Sequence, residues 1–331
     1  MDPIDALREI ATLLERERAS RYRSQAFRAA AEAVAALPVA ARSDSETLRR
    51  TKGIGKSSLE VILQAVSGVI PDYLAELREH VAPEESSTLF ARLRGDLHAH
   101  SNWSDGRAPI AAMADAARAM GREYVALTDH SPRLRVANGL STERLAQQLE
   151  ELPRYSGDGF TLLSGIEVDI LDDGALDQTP EMLARLDVVV ASVHSKLRMA
   201  GAEMTERMLR AVRDEHTDVL GHCTGRLVEG SRGTRPPSDF DAERVFAACA
   251  ENGVAVEINS RPERQDPPDE LIAIALDAGC LFAIDSDAHA PGQLSLLDHG
   301  ALRAERAGVP AERIVTTWPL DRLRSWLARE R

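Results

Sequence analysis

The stretch Gly95-Asp96-Leu97-His98-Ala99-His100-Ser101-Asn102-Trp103-Ser104-Asp105-Gly106 brings two imidazoles and a carboxylate close together in the chain. Side chains on a strand alternate faces, so His98 and His100 are expected on one side. A turn before Gly106 then delivers Asp105. Such a set suits a divalent metal, although one His-x-His pair is read equally well as a plain strand end. The rest of the chain decides between the two. Apolar, β-rich runs end in His130, in Glu167, in His194, in His222, and in Asp287 with His289. Six of the nine histidines close a strand or follow one at once, and carboxylates alternate with them. His80, His216 and His299 break the pattern and read as surface residues. Counting His98, His100, Asp105, His130, Glu167, His194, His222, Asp287 and His289 gives more ligands than one tetrahedral ion takes, so two or three ions are expected. Mixed imidazole and carboxylate donors favour zinc, manganese or iron over calcium or magnesium.

The elements that would position these residues alternate. Strands are expected at 93–98, 124–129, 161–168, 187–193, 217–221, 254–259 and 280–285. Helices are expected at 108–120, 141–152, 179–185, 203–215, 239–252, 268–278, 297–307 and 320–330. Seven strands with helices between them suggest parallel βα units closing into a barrel, with the site at the strands' C-terminal ends. Residues 81–92, with Pro83, Glu84, Glu85, Ser86 and Ser87, read as a linker, which divides the chain into 1–80 and 93–331.

The first part is helical. Ile4, Leu7, Ile10, Leu13 and Leu14, then Phe27, Ala30, Val34 and Leu37, keep helical spacing. Pro38 ends the second helix, and a third fits near 44–50. In Lys52-Gly53-Ile54-Gly55-Lys56 two glycines allow a tight hairpin that opens a helix, and its backbone N–H groups suit a phosphate oxygen. The chain carries a net charge of −13, which argues against generic nucleic-acid binding. Residues 16–56, however, hold a basic surplus, including two of the three lysines. No apolar run is long enough to span a bilayer, and no secretory leader is read at the N-terminus. Cys223, Cys249 and Cys280 form neither a disulfide framework nor a metal motif, so a reducing cytoplasm is expected.

Asp96-Leu-His-Ala-His100-Ser, Thr128-Asp-His130, Gly165-Ile-Glu167, Ser192-Val-His194-Ser, Gly221-His222 and Asp285-Ser-Asp287-Ala-His289 match, in order, the motifs of the PHP (polymerase and histidinol phosphatase) superfamily. The resemblance covers about 93–331. It implies a distorted (β/α)7 barrel with a trinuclear metal centre, preceded here by a small all-α helix-hairpin-helix domain. By the same resemblance one ion takes His98, His100, Glu167 and Asp287. A second shares Glu167 and adds His194 and His222, and a third takes Asp105, His130 and His289. Within the superfamily, Gly221-His-Cys-Thr-Gly-Arg226-Leu and Glu257-Ile-Asn259-Ser-Arg-Pro-Glu-Arg264 resemble the PHP domain of bacterial family X DNA polymerases. Residues 4–80 resemble their N-terminal helical domain, with Lys52, Gly53, Gly55 and Lys56 as the DNA-contacting hairpin. Thr51 and Lys52 replace the usual leucine and proline there. Only the 81–92 linker stands where palm and thumb would lie, which excludes polymerase activity. Val69 stands where lyase members keep a Schiff-base lysine, which speaks against 5′-deoxyribose-phosphate lyase activity.

These readings imply a phosphoesterase. A water shared by two ions would ionise near neutral pH and attack phosphorus in line, with Glu167 and Asp287 at its centre. Arg226 and Arg264 are candidate phosphate clamps, because a guanidinium binds two oxygens at once. Asp96, Asp169 and Asp285 share strand faces with ligands, and Asp96 is expected to orient a histidine. The leading expectation is action on DNA ends or damaged sites, as a 3′-5′ exonuclease, 3′-phosphatase or abasic-site endonuclease. The rival is a small-molecule phosphomonoesterase of the histidinol-phosphatase type, and a non-catalytic DNA-binding adaptor stands third.

Overall fold

The computed structural model describes residues 1–17, 19–81, 87–230 and 233–329. The chain forms two compact units, one helical and one holding all seven strands.

The helical unit contains α1 (Pro3–Arg16), α2 (Arg21–Ala35), α3 (Ser45–Arg50), α4 (Lys56–Val66) and α5 (Asp72–Val81). Asp2 starts α1 by accepting from the N–H groups of Ile4 and Asp5, with Pro3 in the first turn. Ile4, Leu7, Ile10 and Leu14 make its buried stripe, against Phe27, Ala30 and Val34 of α2 and Ile62 of α4. α5 was not expected from the sequence; its Leu74 and Leu77 complete the same core. Of the linker read at 81–92, residues 82–86 lie outside the described residues, and Phe90–Arg92 form a 3-10 turn.

In the second unit the order is β1 (Gly95–Ala99), α6 (Ile110–Ala119), β2 (Tyr124–Leu127), α7 (Thr142–Glu151), β3 (Thr161–Asp169), α8 (Pro180–Leu183), β4 (Val188–Ser192), α9 (Gly201–Val212), β5 (Val219–Leu220), α10 (Ala242–Glu251), β6 (Ala255–Asn259), α11 (Asp269–Asp277), β7 (Leu281–Asp285), α12 (Leu297–Arg306) and α13 (Leu320–Leu327). The strands pair in sequence order, all parallel. β1 meets the segment just after β7 at one bridge, Ala99 with Ala288, so the barrel is nearly closed. Side chains replace the missing ladder: Asp285 Oδ1 accepts from Leu97 N, and Asp96 Oδ1 accepts from Ser286 N.

One face of each strand runs from apolar to polar. β3 reads Leu163, Gly165, Glu167, Asp169, and β4 followed by its loop reads Val188, Val190, Ser192, His194. β7 followed by its loop reads Ala283, Asp285, Asp287. The intervening residues, such as Ile166, Val189 and Ile284, pack outward under the helices. The apolar ends cluster with Val315, Trp318, Leu323 and Trp326, so the C-terminal segment stops the barrel's N-terminal end. Tyr124 Oη donates to the carbonyls of Val315 and Trp318, and Trp326 Nε1 donates to Gly253. The polar ends are thereby left at the opposite mouth. No helix among the described residues is long and apolar enough to cross a membrane.

Candidate metal centre

The structure brings all nine expected ligands to that mouth. His98, His100 and His222 are buried, and Asp105 lies at the edge. Glu167 stands in the middle. Its Oε1 lies 2.8 Å from His222 Nε2 and 3.1 Å from His194 Nε2. Its Oε2 lies 2.8 Å from His130 Nδ1, 3.3 Å from His98 Nε2 and 3.6 Å from His100 Nε2. Asp287 Oδ1 is 3.6 Å from His100 Nε2. Asp105 Oδ1 is 3.3 Å from His289 Nε2 and 3.5 Å from His130 Nε2. Four overlapping groups have ligand atoms within 4.8 Å of one another: His98 with His100 and Asp287; His98 with Glu167 and His222; His130 with Glu167 and His194; and His100 with Asp105, His130 and His289.

The donor chemistry fits divalent ions. Nε2 of His98, both ring nitrogens of His100, Nε2 of His194 and Oε2 of Glu167 are buried without a hydrogen-bond partner. Buried polar atoms are rarely left so, and a shared cation satisfies them together. Burial, with His289 and His130 beside it, pushes the pKa of His100 down to about 3, which keeps it a neutral donor. Burial disfavours a charged His194, but Glu167 and Asp169 outweigh it and raise its pKa to about 9.

The backbone is bent to deliver these groups. The β1–β2 register shifts between Asp96 and Ala99, where β1 spends one residue more than β2. The hairpin to Asp105 is tight: a Cβ on Gly106 would stand 2.5 Å from Ser101 O. Buried Asp129 pins that hairpin, accepting from Ser101 N, Ser101 Oγ, Ser104 Oγ and Gln148 Nε2. Asp287 sits in the left-handed region at φ 50°, a strained conformation for a non-glycine residue that its contacts must hold.

Those contacts come from β6 and the loop after it. Asn259 Nδ2 and Arg264 Nε donate to Asp287 Oδ2 at 3.2 and 3.1 Å. Arg261 Nη1 donates to Asp287 O at 3.0 Å, and its other side pairs with Glu263. Arg264 therefore lies beside the centre. Arg226 does not: its Nε and Nη2 donate to the carbonyl of Gln265 and its Nε to that of Arg264, because it is committed to holding the loop that carries Arg264. Asp169 receives His194 Nδ1. Asp96, expected to orient a histidine ring, instead accepts from the main chain of His98 and Ser286 and from Ser286 Oγ. The residue that meets the His98 ring is Glu257, 2.6 Å from Nδ1. Sequence reasoning missed it, although its parity with Asn259 on β6 was the available signal. His216 pairs with Asp214 away from the ligands, and Cys223 is buried filler.

In the helical unit Lys52, Gly53, Gly55 and Lys56 are all exposed. Gly53 takes φ +97°, which glycine allows, and Gly55 N donates to Ser58 Oγ at the start of α4. A cavity of about 630 Å³ lies beside this helix start, lined among others by Tyr22, Arg23, Phe27, Lys56 and Tyr73.

Comparison with known proteins follows the same division. A helix-hairpin-helix domain model matches residues 1–68. The DNA polymerase/3′-5′ exonuclease PolX of Bacillus subtilis is 35% identical over 240 residues, which cover 72% of this chain and 41% of that protein. The chain thus spans less than half the length of that relative. A probable phosphatase of Aeromonas hydrophila is 30% identical over 212 residues, 61% of this chain and 80% of its own. The crystal structure of a histidinol phosphate phosphatase from Lactococcus lactis, with zinc, L-histidinol and phosphate, superposes with a TM-score of 0.48 at 19% identity, covering 65% of this chain and 94% of that one. A PHP domain model matches residues 96–261, half of the chain, and takes in seven of the nine candidate ligands, so the chain belongs to the PHP family of metal-dependent phosphoesterases.

Proposed function

We propose that this phosphoesterase acts on DNA, at 3′ ends or damaged sites, as an exonuclease, 3′-phosphatase or abasic-site endonuclease. The observation that carries the reading is the presence, in one chain, of a full ligand set and an exposed glycine hairpin flanked by Lys52 and Lys56. The matching helix-hairpin-helix model and the exonuclease named among the relatives support it.

Two or three divalent ions, zinc, manganese or iron, would supply Lewis acidity at the phosphoryl oxygens and an acidified water. His98, His100 and Asp287 would hold metal on one side of the centre and His194 and His222 on the other, with Glu167 between them. Asp105, His130 and His289 face the mouth. Arg264, with Nε on Asp287, is placed to receive a phosphoryl oxygen on its remaining N–H groups. Arg226 acts through the loop. The N–H groups at the start of α4 suit a backbone phosphate, and the lysines beside them add salt-dependent attraction. The protein is expected in the cytoplasm.

A second reading, hydrolysis of a small phosphomonoester, is favoured by the acidic remainder of the chain and by the probable phosphatases among the relatives. Comparing kcat/KM on a duplex with a recessed 3′ end with that on L-histidinol phosphate separates the two. DNA ahead supports the proposal, and the reverse order replaces it. Replacing Lys52 and Lys56 by glutamate should lower DNA affinity and flatten its salt dependence by about two units of log–log slope. An unchanged slope removes the hairpin from DNA contact.

A further inference from the structure

β6 supplies none of the nine ligands, yet it touches four of them directly or through its loop. Glu257 is its fully buried carboxylate, and three donors converge on it. His98 Nδ1 lies 2.6 Å from Oε1, His222 N donates to Oε2 at 2.5 Å, and Asn259 Nδ2 lies 3.2 Å from Oε2. Asn259 cannot turn its oxygen toward Glu257, because Oδ1 accepts from Arg261 N at 3.1 Å while Nδ2 also serves Asp287. His222 N is main chain and cannot change its role.

We propose that Glu257 is a positioning residue that fixes His98 with its proton on Nδ1, leaving Nε2 for the ion site formed with His100, Asp287 and the shared Glu167. The inference rests on the ligand assignment above. An Nδ1 lone pair facing a carboxylate oxygen at 2.6 Å would be repulsive, so the proton is on Nδ1. In the neutral ring Nε2 then faces Glu167 Oε2 across 3.3 Å, lone pair to lone pair, and a cation would satisfy both. A carboxylate behind a metal-binding imidazole fixes the tautomer and raises the ligand's basicity.

Glutamine at this position keeps the shape and fails in a defined way. Its amide has one acceptor side and one donor side. With the oxygen toward His222 and Asn259, the NH2 group faces His98, which must then accept at Nδ1 and carry its proton on Nε2, where it cannot bind metal. With the amide reversed, two donors face each other at His222.

The test is Glu257→Gln, read by three measurements on the full chain. Calorimetric titration of the metal-free protein with manganese or zinc should show at least one site weakened about 10- to 100-fold. The melting temperature of the metal-free protein should remain near that of the unaltered chain. Long-range proton–nitrogen NMR of the zinc-loaded, ¹⁵N-histidine-labelled protein, with the His98 signals assigned from a His98→Gln variant, should show His98 protonated on Nδ1 alone in the unaltered chain and on Nε2 in Glu257→Gln. Equal affinity in the two proteins, or His98 protonated on Nε2 in the unaltered chain, overturns the proposal. The NMR reading of the unaltered chain decides even where the variant does not fold. An unaltered chain that takes up no ion overturns the ligand assignment itself, a different result from a tautomer that fails to match.

Discussion

Asp129 offers a quantitative test of how the site is held, because its side chain meets no ligand side chain and ties the hairpin that delivers Asp105 to Gln148 of α7. It accepts four hydrogen bonds, from Ser101 N, Ser101 Oγ, Ser104 Oγ and Gln148 Nε2. At about 1 kcal/mol each, their loss in Asp129→Ala costs about 4 kcal/mol, and the main-chain N–H of Ser101 is left buried without an acceptor. Asp129→Asn should behave differently. Burial raises the Asp129 pKa, so the surroundings work against a full charge there and a neutral amide avoids that cost. The two serine hydroxyls can rotate, and Gln148 Oε1, buried without a partner, can turn to accept from the new amide. The asparagine variant should therefore lose less than about 1.5 kcal/mol. Urea unfolding of both variants under chelator measures the difference. An alanine variant within 1 kcal/mol of the unaltered chain, or an asparagine variant as damaged as alanine, refutes the reasoning.

Other outcomes follow from the same structure. Trp326 seals the barrel's N-terminal end among Leu97, Val219 and Ala255, so Trp326→Ala should cost about 3–5 kcal/mol by urea unfolding, and a loss below 1 would remove the plug from the account. Ions bound only by the folded chain stabilise it by mass action, about 2.7 kcal/mol at a hundredfold excess over Kd, so a chelator should lower the melting temperature. In Glu167→Gln, where the carboxylate reaching five imidazoles is gone, the metal-induced rise in melting temperature should shrink sharply. A full rise in that variant would contradict the central place given to Glu167.

The barrel and the gathering of the candidate ligands at its mouth were legible because one physical constraint wrote both. A parallel barrel places apolar residues at the start of the inward face and leaves polar ones at its end, as in Val188, Val190, Ser192 and His194. What was not legible depends on contacts between distant segments. The β1 bulge is set by pairing with β2, not by Leu97 or His98 themselves. Glu257 looks like any strand glutamate until His98 and His222 close around it. Arg226 and Arg264 are alike in sequence; the fold turns one to the carbonyls of Arg264 and Gln265 and the other to Asp287. Arg261 could not be told from its neighbours before Asp287 and His289 were placed beside it. α5 carries a mixed surface, and only the helical core around Leu74 and Leu77 explains why it forms.

The central claim is that metal held by this ligand set hydrolyses phosphoester bonds in DNA. The direct measurement uses a 5′-labelled duplex with a recessed 3′ end and a matched duplex with one abasic site. Each is incubated with the full chain and manganese, with the full chain and chelator, and with Asp287→Ala. The account predicts shortening from the 3′ end, or a single cut at the abasic site, with manganese alone and its loss in both controls. DNA left intact by a chain that still releases phosphate from small phosphomonoesters would contradict it.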